Sequence, residues 1–303
     1  MIVVERIAEL RARGDEARAA GLRVGLVPTM GYFHAGHRSL MRAARERCDV
    51  VVVSLFVNPT QFGPNEDLAA YPRDLAADSA AAEAEGVDVL FVPSVEEVYP
   101  AGVPHTTVHV AGLTDGLCGV ARPSHFDGVT TVVAKLFGMV GPCTAFFGRK
   151  DYQQLAVVRQ MTRDLNLPVE VVGCPLVREP DGLALSSRNA YLAPEERTAA
   201  TVLVRALRLA AAAVEKGERD ARMVEELVRS SIAGEPLVVL EYAEVRDAEL
   251  LEPLSTLDGA CVLALAAQCG RARLIDNVVL EVHGTAVQTD LGVRVDELIQ
   301  MEA

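Results

Sequence analysis

Leu26-Val27-Pro28-Thr29-Met30-Gly31-Tyr32-Phe33-His34-Ala35-Gly36-His37-Arg38 leaves an apolar strand, turns at a glycine and enters a helix. The order strand, glycine turn, helix is that of a βαβ unit. Gly36 admits a close backbone approach, the helix start offers unpaired N–H groups, and two imidazoles can donate to developing negative charge. This segment therefore reads as a phosphate site. Two blander readings compete with it. His34 and His37 could simply cap the turn, or they could join His105 and His109 around a metal. Against the metal, no acidic or cysteine ligand lies at suitable spacing, and the Thr/Val-rich run holding His105 and His109 reads as a partly exposed strand.

The same alternation spreads outward. An opening helix over Ile7 to Ala20 precedes strands over Leu22 to Val27, Val50 to Val57, Val87 to Val92, Thr144 to Phe147 and Val169 to Val172. Helices over Arg38 to Glu46, Leu75 to Glu85, Val129 to Val140 and Tyr152 to Leu165 lie between them. Repeated βαβ units predict an α/β fold, a doubly wound parallel sheet over residues 1–175. A smaller α+β domain follows over 176–283. It contains an Ala-rich helix to about Glu215, a helix over Ala221 to Ser231, and strands over Leu237 to Val245, Ala260 to Ala267 and Ala272 to Leu280. Residues 284–303 form a tail whose order the mixed composition leaves open.

Composition narrows the function classes. Half of the 303 residues are hydrophobic, so two domains with substantial cores are expected. A formal charge of −13 argues against nonspecific nucleic-acid binding, which needs clustered Lys and Arg. No basic leader or membrane-length apolar run is visible, so a cytoplasmic protein without a membrane partner is expected. Cys48, Cys118, Cys143, Cys174, Cys261 and Cys269 include no CxxC pair and read as small core residues.

Ligands of doubly wound sheets bind beyond the carboxyl ends of the strands. Three loops there carry unusual residues. In Phe56-Val57-Asn58-Pro59-Thr60-Gln61-Phe62, Asn58 and Gln61 can hydrogen-bond a polar substrate and Phe62 offers an apolar wall; an ordinary Asn-Pro turn is the alternative. In Phe147-Gly148-Arg149-Lys150-Asp151-Tyr152-Gln153-Gln154, a glycine turn places Lys150 at a helix start, with Gln154 one turn on. Val177-Arg178-Glu179-Pro180-Asp181-Gly182-Leu183-Ala184-Leu185-Ser186-Ser187-Arg188-Asn189 reads as an exposed functional loop with two hydroxyls and a guanidinium suited to phosphates. Arg122-Pro123-Ser124-His125-Phe126-Asp127-Gly128-Val129 ranks second, and Arg273-Leu274-Ile275-Asp276-Asn277 reads as structural.

Together these motifs resemble the pantothenate synthetase family, the pantoate–β-alanine ligases of the HxGH nucleotidyltransferase superfamily, over roughly residues 20 to 280. Two positions depart from the family pattern: Arg149 replaces the usual Glu of Gly-Glu-Lys-Asp, and Leu185 replaces the commoner Met. The resemblance implies a Rossmann-like first domain, a smaller domain acting as a lid, and a homodimer. It also implies ATP-dependent condensation of (R)-pantoate with β-alanine to pantothenate, AMP and pyrophosphate through pantoyl adenylate, with Mg²⁺ accompanying ATP.

His34, His37, Lys150 and Arg188 would be catalytic. Pro28, Thr29, Met30, Gly31, Gly36, Gly148, Asp151, Val177, Leu185, Ser186 and Ser187 would join them in binding ATP, and Met30, Asn58, Gln61 and Gln154 would hold pantoate and β-alanine. Two other functions remain open on the sequence: another HxGH nucleotidyltransferase that releases a nucleotidylated product, and a catalytically silent nucleotide-binding module.

Overall fold

The computed structural model describes residues 1–64 and 66–301. The chain divides into two units, one comprising 1–115, 119–149 and 157–174 and the other 116–118, 150–156 and 175–303. The division passes through two helices, Cys118–Ala121 and Tyr152–Asp164, which neither periodicity nor composition announces.

In the first unit the strands are β1 (Ile2–Val4), β2 (Val24–Thr29), β3 (Val50–Leu55), β4 (Val89–Phe91), β5 (Cys143–Gly148) and β6 (Val169–Cys174). All pair in parallel, in the order β1-β4-β3-β2-β5-β6. The helices are α1 (Ile7–Ala19), α2 (Ala35–Arg47), α3 (Leu75–Ala84), α4 (Val95–Val98), α5 (Cys118–Ala121), α6 (His125–Val140) and α7 (Tyr152–Asp164). Right-handed crossovers that run β2 to β3 in one direction and β5 to β6 in the other put α2 and α7 on opposite faces. The sheet is thus doubly wound, and its order reverses between β2 and β5. Val27, Val51, Val53, Leu90 and Phe146 pack under Leu40, Met41 and Ala44 of α2 and Ala82 of α3. Near-continuous apolar runs made these strands visible because both faces of the sheet are covered.

The second unit holds β7 (Val177–Arg178), α8 (Pro194–Ala199), α9 (Val202–Glu215), α10 (Ala221–Ala233), β8 (Val238–Asp247), β9 (Gly259–Cys269), β10 (Ala272–His283), β11 (Ala286–Asp290), β12 (Val293–Arg294) and α11 (Val295–Met301). β8 to β11 form an antiparallel sheet ordered β11-β10-β9-β8, while β12 pairs in parallel with β7. Leu203, Leu207, Ala210 and Val214 of α9 and Val224, Val228 and Ile232 of α10 share one core with Val245, Leu263, Leu265, Val278 and Leu280. Pro194 opens α8, and Glu196 accepts from the Ala193 N–H at 2.8 Å, as the sequence Pro-Glu-Glu suggests. Most of the tail left open by composition is placed: β11, β12 and α11 lie in it, while Glu302 and Ala303 fall outside the described residues.

Two local expectations are corrected. Residues 105–110 pair with no strand: the Val108 N–H and carbonyl are taken by Thr131 and Thr130 of α6, and His109 Nδ1 lies 2.8 Å from Asp127 Oδ1. Arg178, read as part of an exposed loop, is 1% exposed and pairs with Asp276, 2% exposed, through contacts of 2.7 and 2.8 Å. Its guanidinium also donates to the carbonyls of Gly182, Asn277 and Leu291. The partner lies 98 residues away in sequence, so local pattern could not reveal it.

Removing one member of a buried ion pair strands the other. We expect Asp276→Ala to cost about 3–5 kcal/mol of stability in urea unfolding, and a loss below ~1 kcal/mol would contradict this reading of the pair.

Candidate active site

β2 ends at Thr29, and the chain turns through Gly31 (φ 87°) and Tyr32 (φ 55°) before α2 begins at Ala35. Left-handed backbone at a tyrosine is uncommon and needs support. Asp78 of α3 supplies it: its carboxylate accepts the Tyr32 N–H at 2.8 Å and the Phe33 N–H at 2.6 Å. Asp78 is buried, and burial pushes its carboxyl above the usual range against the two main-chain bonds that hold the charge. A Cβ on Gly31 would lie 2.9 Å from Asp78 Oδ2, so glycine is required by space as well as by φ.

The helix that follows is capped by histidines. His34 Nδ1 accepts the Gly36 N–H at 3.2 Å, and His37 Nδ1 accepts the His34 N–H at 3.3 Å. Each Nδ1 must keep its lone pair for this, so in the neutral ring the proton sits on Nε2. The two rings lie against each other with centroids 4.1 Å apart and planes tilted by 33°. The capping reading does not displace the functional one: capping through Nδ1 makes each Nε2 a donor.

Gln61 sits in a 3₁₀ turn, Pro59–Gln61, held from several directions. Asn58 Nδ2 donates to Gln61 Oε1 at 3.0 Å and to the Gly128 carbonyl at 3.1 Å; Asn58 Oδ1 accepts from the Tyr99 hydroxyl at 2.8 Å and the Thr60 hydroxyl at 3.0 Å. Asn58 thus spends its amide inside the protein. The consequence falls on Gln61, whose Nε2 is turned toward Met30, 3.1 Å from its sulfur.

The Gln61 carbonyl lies 2.9 Å from His125 Nδ1 and accepts from Arg122 at 3.3 Å, and Arg122 forms a bidentate pair with Glu66. Burial raises the Glu66 carboxyl but Arg122 outweighs it, holding it below the usual range. The segment ranked second by sequence therefore braces the Gln61 turn. Thr29 joins the neighbouring strand through a 2.6 Å bond from its hydroxyl to the Ser54 carbonyl, and Gly148 closes β5 with open space where a Cβ would stand.

In the second unit, Lys150 and Asp151 occupy a 3₁₀ turn ahead of α7, with Lys150 Nζ 3.4 Å from Asp151 Oδ2. The Lys150 carbonyl accepts from Asn277 Nδ2 at 3.0 Å, and the Asn277 N–H donates to Asp276 Oδ1 at 2.7 Å. The Asp276 segment is structural, as expected, but what it fixes is the main chain of Lys150. Gln153, beside Gln154, is buried and bonds the Gly116 carbonyl and the Cys118 N–H, while Gln154 is half-buried. Val177 and Leu185 pair through the main chain, with the Leu185 N–H on the Val177 carbonyl at 2.9 Å. Ser186 caps the 3₁₀ turn Ser187–Tyr191 by accepting the Arg188 N–H; Ser187 is buried and Arg188 half-buried.

A family model described as pantoate-beta-alanine ligase matches residues 2–279. The chain belongs to the pantoate–β-alanine ligase family. Its curated relatives include the pantothenate synthetase of Heliobacterium modesticaldum, 57% identical over 93% of this chain and all of that one, and that of Moorella thermoacetica, 54% identical over 93% and all. Among solved structures, pantothenate synthetase from Thermus thermophilus is 48% identical with a TM-score of 0.85, covering 91% of this chain and 98% of that one. The pantoate-beta-alanine ligase from Francisella tularensis, described as complexed with beta-gamma ATP and beta-alanine, is 33% identical with a TM-score of 0.74, covering 91% and 97%. Similarity of this extent carries the ligase assignment over most of the chain, beyond its motifs.

Asp78, Tyr99 and Glu66 have no place in the motifs of the sequence, and Gly128 enters them without a role of its own. Asp78 lies in an Ala-rich helix and looks like a solvated charge, and only Gly128, within the Arg122 segment, carried any local signal. A Cβ on Gly128 would lie 2.4 Å from the Thr60 carbonyl oxygen and 2.6 Å from the Gln61 nitrogen. We expect Gly128→Ala to cost about 1–3 kcal/mol in thermal unfolding; an unchanged midpoint would show that the turn can move aside.

Proposed function

We propose that the chain condenses (R)-pantoate with β-alanine in two steps. The pantoate carboxylate attacks the α-phosphorus of ATP and expels pyrophosphate; the β-alanine amine then attacks the acyl carbon of pantoyl adenylate, breaking the carbon–oxygen bond to release pantothenate and AMP. Adenylation turns a poor leaving oxygen into a good one, so no covalent enzyme intermediate is needed. Catalysis is positioning and charge stabilisation.

The observation that supports this reading is the pair of Nδ1 acceptor bonds that leaves His34 and His37 as Nε2 donors at the start of α2. Anionic phosphate is favoured at such a helix start. We assign His34, His37, Lys150 and Arg188 to the triphosphate, with His37 as candidate proton donor. Pro28, Thr29, Met30, Gly31, Gly36, Gly148, Asp151, Val177, Leu185, Ser186 and Ser187 complete the ATP contacts. Gln61, Met30 and Gln154 hold pantoate, and Asn58 contributes by orienting Gln61. Mg²⁺ would be held by the phosphates of ATP and by water, as is usual for this cation with a nucleotide. Among the described residues no helix is long and apolar enough to cross a membrane. A cytoplasmic homodimer working on small molecules is the setting we propose.

Purified protein given ATP, Mg²⁺ and pantoate should form pantothenate and AMP only when β-alanine is present. A stable nucleotidylated product that needs no amine would favour another HxGH transferase. His37→Ala and Lys150→Ala should each slow pyrophosphate release by about 10²–10³-fold, the usual effect of losing a donor to developing charge, and near-parental rates in both would overturn these roles.

A further inference from the structure

Asp78 is a buried carboxylate with no cation beside it among the described residues, and its two hydrogen bonds go to the main chain of one loop. Burial raises its carboxyl, which marks the ionised form as a cost to the fold at neutral pH. Such a group earns no place by stability alone. What it holds is the left-handed pair Gly31 and Tyr32, the two residues that set where the chain enters α2.

We propose that Asp78 is a positioning residue for adenylation: by fixing the Tyr32 and Phe33 N–H groups it sets the entry angle of α2, and with it the location of the His34 and His37 rings. The inference rests on the assignment of those histidines to the phosphates of ATP. The physical chain is short. The Phe33 N–H lies one peptide from His34, His34 caps the helix through Gly36, and the His34 N–H fixes the ring of His37. Release of either loop bond lets Tyr32 relax from φ 55° toward the ordinary region, and every atom beyond it shifts. A misplacement of about 1 Å at a reacting centre can cost on the order of 10² in rate. Asn in place of Asp offers one acceptor oxygen and turns an amide N–H₂ against the other main-chain donor, so a near-isosteric change removes the clamp. Thr29, at the end of β2 and held to Ser54 of β3, is upstream of the clamp and keeps its place.

The test separates the two half-reactions for the parent, Asp78→Asn and His37→Ala. Pyrophosphate release from ATP and pantoate reads the first; pantothenate formed from supplied pantoyl adenylate and β-alanine reads the second. Asp78→Asn is expected to slow the first on the order of 10²-fold and to leave the second within about three-fold. Asp78→Ser, neutral and smaller, serves as second variant and shows the same split if the amide variant does not fold. Equal slowing of both halves, or a parental first half, overturns the proposal. The His37→Ala arm locates the failure: a slow first half there beside a parental Asp78→Asn sinks Asp78 alone, whereas a parental first half in His37→Ala removes the histidine assignment on which the proposal stands.

Discussion

The start of α2 is capped by imidazole nitrogens where a helix ordinarily uses a hydroxyl or carboxylate oxygen, and the rest of the site chemistry depends on that exchange. A carboxylate cap would satisfy the same N–H groups and leave nothing to give. An imidazole has a second nitrogen, so accepting at Nδ1 compels donation at Nε2. Helix capping thereby leaves both side chains as donors, which is what the proposed phosphate recognition needs. The constraint also runs backward along the chain: the rings can sit there only if the turn before them adopts left-handed backbone at Gly31 and Tyr32, and that turn is bound by a carboxylate from a different helix.

The second unit solves a similar problem with other chemistry. Arg178 and Asp276 neutralise each other in the core, and the surplus donors of the guanidinium tie down carbonyls at Gly182, Asn277 and Leu291. The bond from Asn277 to the Lys150 carbonyl extends that rigidity to a residue we assign to phosphate. A hydrophobic pair of similar volume would pack as well, but it would leave those carbonyls without partners. In both units a buried charge is used to hold backbone near the proposed chemistry.

The α/β order, the long strands and the helices between them were legible because parallel strands buried on both faces read as apolar runs and surface helices carry their own period. Short elements were not: β1, β7 and β12 are two or three residues long, and pairing across the chain makes them strands. The HxGH, Asn-Pro-Thr-Gln and Ser-Ser-Arg motifs were visible as residue types, yet their geometry was not. Asn58 looked like a substrate donor until its amide proved to be filled by Gln61, Gly128, Tyr99 and Thr60. Arg178 looked solvated because Asp276 is 98 residues away. Asp78 and Glu66 had the same defect: a carboxylate that meets its partner only through the fold has no local signature.

Membership of the pantoate–β-alanine ligase family fixes the reactants, and the central claim is how their bonds exchange. Pantoate labelled with ¹⁸O in both carboxylate oxygens tests it most directly, with AMP and pyrophosphate analysed by mass spectrometry after turnover with β-alanine. Attack of the carboxylate on the α-phosphorus followed by aminolysis at the acyl carbon predicts one ¹⁸O in each AMP and none in pyrophosphate. Unlabelled AMP, or label in the pyrophosphate, would contradict the adenylate route.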